Sequence, residues 1–268
     1  MVYGYRAVAA AVSLRTTVTL VDRAGPSDID ESEIRDARVW PALATLVPAD
    51  GVGVRIRSTL PVGCGMGSSA ALAVATIRGL ARREGREASF EECFERGFLP
   101  ERVLHGNPSG VDHAVSAREG VVLYRRGATG PEITPLSVPT PLHLVVIDTG
   151  TPGDTAAMVA GVRTRAPDAE LRRIGAVAEM VSAHLQRGED PGPLFSENHR
   201  LLRRIGVSTP ALDRACALLE HAGATGAKLA GAGGGGVAFG SVSAEKAEEV
   251  LAAARHSGGR AFRVVVGS

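Results

Sequence analysis

The clearest alternation in the chain lies at Val52, Val54 and Ile56, which are separated by Gly53, Arg55 and Arg57. Side chains two apart on an extended backbone share a face, so this period predicts a half-buried strand ending by Pro61. The period then changes. Leu72, Ala73, Ala75, Thr76, Gly79 and Leu80 recur at helical spacing within Ala70 to Arg83, behind Ser68-Ser69 and with Arg82-Arg83 in the last turn, which predicts a helix. Earlier, Leu14 to Val21 reads as a strand, and Asp22 to Asp50 as loop and helix, with Trp40 as a packing residue. Later, Ser89 followed three places on by Glu92 has the form of a capping box opening another helix. Gly120 to Gly127 reads as a strand and turn, Pro131 to Pro141 as a proline-rich linker, and Leu142 to Ile147 as a buried strand. Helices are expected at Ala156 to Arg165, around Pro193 to Leu202 and at Ala244 to Arg255, with strands at Val237 to Phe239 and Arg260 to Val266. This order predicts an α+β chain of two domains, residues 1–138 and 139–268, with the boundary in the linker.

Composition narrows the partners. The 268 residues carry Lys+Arg 30 against Asp+Glu 29, so no overall basic field points to nucleic acid or an anionic membrane. No apolar run approaches the roughly eighteen residues of a membrane span, and the N-terminus does not read as a signal peptide. Cys64, Cys93 and Cys216 are widely spaced and odd in number, which argues against a disulfide framework or a zinc site and suits a reducing cytoplasm.

Candidate chemistry gathers in three glycine-rich stretches. Leu60 to Ala71 places Gly63, Gly65 and Gly67 between the strand and the helix, where residues without Cβ let backbone N–H groups approach an anion. The following helix adds its own unpaired N–H groups and the positive end of its dipole. A hydroxyl of Ser68-Ser69 is placed to ligate the Mg²⁺ that travels with a nucleoside triphosphate. A turn made glycine-rich for steric reasons alone is the alternative. No Gly-Lys-Ser/Thr follows, so this is not a Walker A loop. Glu101 to Ser116 contains Gly106-Asn107-Pro108-Ser109-Gly110, turn chemistry ahead of Asp112, and its blandest reading is an exposed loop. His105 and His113 lack a third ligand at metal spacing and read as loop residues. Gly231 to Gly236 spells Gly-x-Gly-x-x-Gly, but it runs into a strand and not a helix, so a dinucleotide-binding reading fails. Thr155 reads as a helix cap, and the polar residues of Pro193 to Leu202 as a solvent face.

Residues Pro61 to Ala70 match throughout the second motif of the GHMP kinases, Pro-x-x-x-Gly-Leu/Met-Gly-Ser-Ser-Ala. Lys228 to Gly236 resembles their third motif, and His105 to Asp112 is similar to the signature around the catalytic aspartate of the mevalonate kinase branch. The resemblance implies the two-domain GHMP fold, with a ribosomal protein S5 domain 2-like N-terminal domain and a ferredoxin-like C-terminal domain. It also implies transfer of phosphate from MgATP to the primary alcohol of mevalonate. Phosphomevalonate or another small alcohol is the alternative substrate, and a nucleotide-binding protein without turnover is the alternative class. Asp112 falls on the catalytic aspartate, and Ser69 and Glu101 on the Mg²⁺ ligands. Gly63, Gly65, Gly67 and Ser68 fall on the nucleotide loop, and Thr155 with Gly233, Gly234 and Gly235 on the site wall. ATP and Mg²⁺ are the implied cofactors and a small-molecule alcohol the partner, without nucleic acid or membrane; a homodimer is left open. Val2-Tyr3-Gly4 resembles the stretch that directly follows the family's first motif. The expectation is therefore that a strand and that motif's Lys, Glu and His are missing, through a gene start placed too far downstream or a natural loss, and that the Met1 form transfers phosphate poorly.

Overall fold

The computed structural model describes residues 4–106, 108–127, 130–153, 158, 160–162, 164 and 167–267. Its strands are β1 (Ala7–Ala10), β2 (Thr16–Pro26), β3 (Asp28–Ser32), β4 (Asp50–Ser58), β5 (Val121–Arg126), β6 (Pro131–Leu136), β7 (Leu142–Asp148), β8 (Gly226–Leu229), β9 (Val237–Val242) and β10 (Arg260–Val266). Its helices are α1 (Val39–Leu43), α2 (Ser68–Arg83), α3 (Phe90–His105), α4 (Val111–Arg118), α5 (Asp168–Arg187), α6 (Gly192–Arg204), α7 (Pro210–His221) and α8 (Ala247–His256). The chain forms two compact units. The first comprises Leu14–Val62 and Gly67–Glu119; the second comprises the segment ending at Ser13, Gly63–Met66 and the chain from Gly120 onward.

In the first unit a sheet of order β2-β4-β3 carries α1 to α4. β2 and β4 run antiparallel, with Val18 opposite Ile56 and Leu20 opposite Val54. The alternation that announced β4 buries Val52, Val54 and Ile56 against Leu43 of α1 and Leu72 of α2. Val74, Ile77 and Leu80 of α2 pack with Cys93 of α3 and Ala117 of α4. Each such aliphatic side chain contributes about 1.5–3 kcal/mol by leaving water, so α2 is pinned between sheet and helices. Trp40 packs on the sheet side of this core. β3 corrects the reading of Asp22 to Asp50 as loop and helix, for Asp28–Ser32 pairs in parallel with β4. Only Ile29 of β3 joins the hydrophobic cluster, and the acidic residues around it keep an edge strand from recruiting another chain.

In the second unit a four-stranded antiparallel sheet has the order β10-β7-β9-β8. Leu212 and Leu219 of α7 and Val250 of α8 are buried against Val145 of β7 and Leu229 of β8. A second sheet, β1-β5-β6, is also antiparallel. Its β6 occupies much of the stretch expected to be linker, with Pro135 opposite Val122. Proline is tolerated there because β6 is an edge and the missing N–H costs no ladder bond. Among the described residues no helix is long and apolar enough to cross a membrane.

Candidate functional site

Two helices of the first unit begin behind a left-handed glycine in place of a capping side chain. α2 starts behind Gly67, which is left-handed at φ 70°, and α4 behind Gly110, left-handed at φ 84°. Two other helices carry side-chain caps: Glu92 N–H donates to Ser89 Oγ at 3.0 Å at the start of α3, and Leu212 N–H donates to Thr209 Oγ1 at 3.3 Å at the start of α7. The first N–H to donate along α2 is that of Ala71, to the Gly67 carbonyl at 3.0 Å. Those of Ser68, Ser69 and Ala70 have no helical carbonyl to reach, which leaves the positive end of α2 open to an anion. The positive φ favours glycine at both starts. A Cβ on Gly110 would also collide with Phe98 Cζ at 2.7 Å, whereas one on Gly67 would make only ordinary contact with the Asp112 carboxyl carbon, at 3.6 Å.

Asp112 lies in the first turn of α4, beside Gly67. Its side chain reaches solvent, but the protein crowded around it strips away bulk hydration. Its pKa is raised to about 6, first by that desolvation and then by the charge of Glu101, with His105 opposing. Glu101 is 4% exposed on α3, and its Oε1 is buried with no hydrogen-bond partner among the described residues. A buried carboxylate oxygen left bare costs several kcal/mol or more unless a cation or donor is supplied. Its other oxygen, Oε2, lies 4.0 Å from His105 Nε2, and that same nitrogen lies 3.3 Å from Ser69 Oγ.

Ser69, Glu101 and Asp112, separate in the sequence, are thus gathered with Gly67 and Ser68 about the start of α2. His105 is the member that sequence reasoning missed. It stands in the last turn of α3, and the available signal was Glu101-x-x-x-His105, which puts two side chains on one helix face. His113 is no loop residue either. It lies on α4, 1% exposed, with its ring 4.7 Å from that of Phe98 and 6.5 Å from that of Phe94. Among the described residues neither ring nitrogen has a well-formed hydrogen bond, and burial pulls its pKa down to about 4, against a smaller opposing effect of the Gly97 backbone.

In the second unit, Gly63 and Gly65 take φ 78° and 79°. The turn containing Gly233, Gly234 and Gly235 is fastened from two directions. Gly236 N–H donates to Thr151 O at 2.7 Å and Gly234 N–H to Val207 O at 2.8 Å, while Thr149 Oγ1 donates to Gly236 O at 2.7 Å. Side chains would not fit here: a Cβ on Gly233 would meet Val207 O at 2.0 Å, one on Gly235 Thr151 O at 2.4 Å, and one on Gly236 Cys64 O at 2.8 Å. Lys228, ahead of this turn, is half-buried; desolvation lowers its pKa to about 8, and its ammonium donates to Leu229 O at 2.7 Å. Thr155 lies outside the described residues, as does part of the helix expected around it. The solvent face expected in Pro193 to Leu202 is corrected: Asn198 and His199 are buried, at 9% and 7% exposure. The Leu229 N–H donates to His199 Nδ1 at 3.4 Å, and Nε2 faces Asp213 Oδ1 at 3.2 Å, so tertiary partners in α7 and β8 draw the histidine inward.

The chain matches known proteins along most of its length. Residues 37–120 match the family described as GHMP kinases N terminal domain, and residues 176–260 that described as GHMP kinases C terminal. The mevalonate kinase of Pyrococcus furiosus is 38% identical over 222 residues, which are 78% of this chain and 65% of that one. The present chain therefore spans about two thirds of the length of such relatives. The mevalonate kinase of Archaeoglobus fulgidus is 32% identical over 259 residues, 92% of this chain and 88% of that one. Among solved structures, the L. major mevalonate kinase in complex with R-mevalonate superposes with a TM-score of 0.88 at 27% identity, over 99% of this chain and 90% of that one. With both halves of the family matched in order and the Archaeoglobus relative covered nearly end to end, the chain belongs to the GHMP kinase family.

Proposed function

We propose that the protein is a cytoplasmic mevalonate kinase, transferring the γ-phosphate of MgATP to the primary alcohol of mevalonate. The observation that carries the reading is the meeting of Ser69, Glu101 and Asp112 at the uncapped start of α2, with one Glu101 oxygen buried and bare. The substrate is supported by relatives named mevalonate kinase at 32–38% identity and by the R-mevalonate complex of the L. major enzyme.

The residues present fit both implied groups. Open N–H groups of Ser68 and Ser69 suit phosphate oxygens. Glu101 and Ser69 offer oxygen ligands to Mg²⁺, which is commonly held by one or two carboxylates together with substrate phosphates. When bound, Mg²⁺ supplies charge neutralisation for the phosphates. Asp112 accepts the proton of the substrate hydroxyl as that oxygen bonds to the γ-phosphorus and the bond from phosphorus to the β,γ-bridging oxygen breaks, releasing ADP. Its raised pKa makes it a better base than an ordinary aspartate while leaving it ionised near neutrality. Gly63, Gly65 and Gly67 are assigned to the nucleotide, Gly233, Gly234, Gly235 and Thr155 to the site wall, and residues 139–268 to a C-terminal domain, in each case on motif match.

The test is a coupled assay with ATP and mevalonate, phosphomevalonate or galactose, with and without Mg²⁺. Magnesium-dependent ADP release with mevalonate, abolished in Asp112→Asn while ATP still binds, is expected. Turnover of another alcohol in preference to mevalonate would overturn the substrate, and ATP binding without turnover of any of them would overturn the activity.

A further inference from the structure

The face of α6 carries a cationic feature that the kinase reading does not use. Arg200, Arg203 and Arg204 stand at i, i+3 and i+4 and, with Ser208 and Asp213, line an open recess of about 490 Å³ on the second unit. Like charges at these spacings oppose helix formation. Residues in the last turn recover some of that from the helix dipole, but Arg200 sits a turn earlier.

The local acids only partly answer this charge. Arg203 Nε lies 3.0 Å from Asp213 Oδ2. Asp213 Oδ1 is already taken, accepting from Ser208 Oγ at 2.6 Å and facing His199 Nε2 at 3.2 Å. Arg204 reaches Glu170 at 3.7 Å, beyond a hydrogen bond. Arg200 makes no ion pair or hydrogen bond among the described residues.

We propose that this recess is a binding site for a phosphate-bearing anion, a phosphate monoester or a diphosphate. Guanidinium forks match tetrahedral phosphate oxygens two at a time, and three of them around one recess favour a multiply charged group over a single carboxylate. The volume exceeds that of a bare phosphate and leaves room for an organic substituent. None of the residues gathered at the start of α2 takes part. The wall carrying Ser208 continues into Val207, whose carbonyl receives the Gly234 N–H, so an anion held here braces the glycine turn from behind.

The test is calorimetric titration of the full chain with inorganic pyrophosphate at fixed ionic strength. Arg200→Gln/Arg204→Gln is expected to raise the pyrophosphate Kd at least tenfold while leaving ATP affinity and the melting temperature unchanged, and Arg200→Lys/Arg204→Lys to raise it less. Arg55→Gln/Arg57→Gln, which removes the same charge from β4, is expected to leave it unchanged. An unaltered Kd in Arg200→Gln/Arg204→Gln, or an equal loss in the β4 control, would overturn the site without bearing on the kinase assay.

Discussion

Gly97 is a glycine in the middle of α3, where alanine would ordinarily favour the helix by about 1 kcal/mol. Here a methyl group would lie 2.8 Å from Cδ2 and 3.3 Å from Cγ of His113. Carbon atoms rest at about 3.5–4.0 Å, so the ring would have to withdraw by most of an ångström, and Phe94 and Phe98 crowd it. Overpacking of this kind costs about 1–3 kcal/mol. The balance for Gly97→Ala is a net loss of about 1 kcal/mol, or about 2–4 °C in melting temperature for a chain of this size. The displacement passes to the adjacent Asp112, and a 1 Å misplacement of a reacting group can cost on the order of 100-fold in rate. The variant should therefore lose at least tenfold in kcat with little change in the KM for ATP. Thermal melts and steady-state kinetics on a double-mutant cycle with His113→Ala provide the assay. In the His113→Ala background the methyl meets open space, and Gly97→Ala should become stabilising by up to about 1 kcal/mol. Stabilisation of the parent by Gly97→Ala, or an unchanged penalty without the imidazole, would refute the steric argument.

Asp112 must be ionised to accept a proton, so kcat/KM should rise with pH through a midpoint near 6 to a plateau at higher pH; a flat profile from pH 5 to 8 would remove it from that role. His113 is neutral in the fold, with its pKa lowered to about 4, whereas the unfolded chain takes up its proton below about 6.5. Stability should therefore fall as pH drops from about 6.5 to 4, by up to about 3 kcal/mol, and the His113→Ala variant should show a shallower fall in denaturant titrations. Glu101→Gln should raise the Mg²⁺ concentration needed for half-maximal activity by at least tenfold, while its melting temperature without metal holds or rises because a buried bare charge is gone. Gly67→Val places a β-branched residue at φ 70°, at a cost of about 1–2 kcal/mol or more; calorimetry should show ATP binding at least tenfold weaker.

Much of the fold and part of the site could be read from residue order alone. Val52, Val54 and Ile56 announced β4, the spacing behind Ser68 announced α2, and Ser89 with Glu92 announced a cap that the structure contains, because these features depend on local periodicity. β3 and β6 escaped because edge strands bury little: their acids and prolines give no apolar alternation, and only the partner strand makes them strands. The burial of Asn198 and His199 was invisible for a related reason, since Asp213 and the Leu229 N–H that draw in His199 lie elsewhere in the chain. Glycine motifs identified where an anion could lie, but the proximity of His105 to Ser69 depends on how α3 packs beside α2.

The division of the chain also bears on how the protein is made. The first unit is almost continuous, while the second takes its β1 from before Leu14 and its β5 from after Glu119, with Val8 paired to Leu123 and Ser13 N–H bonded to Val265 O. On a ribosome, β1 emerges before the first unit, and its partner β5 follows only after more than a hundred further residues have been added. The first unit is thus expected to condense early, around local helix contacts, with its neighbour's opening strand tethered beside it as an unsatisfied edge. Completion of the second unit then waits on distant pairings that form slowly, which makes the late stage of synthesis the interval in which this chain is most exposed to aggregation and most dependent on chaperones.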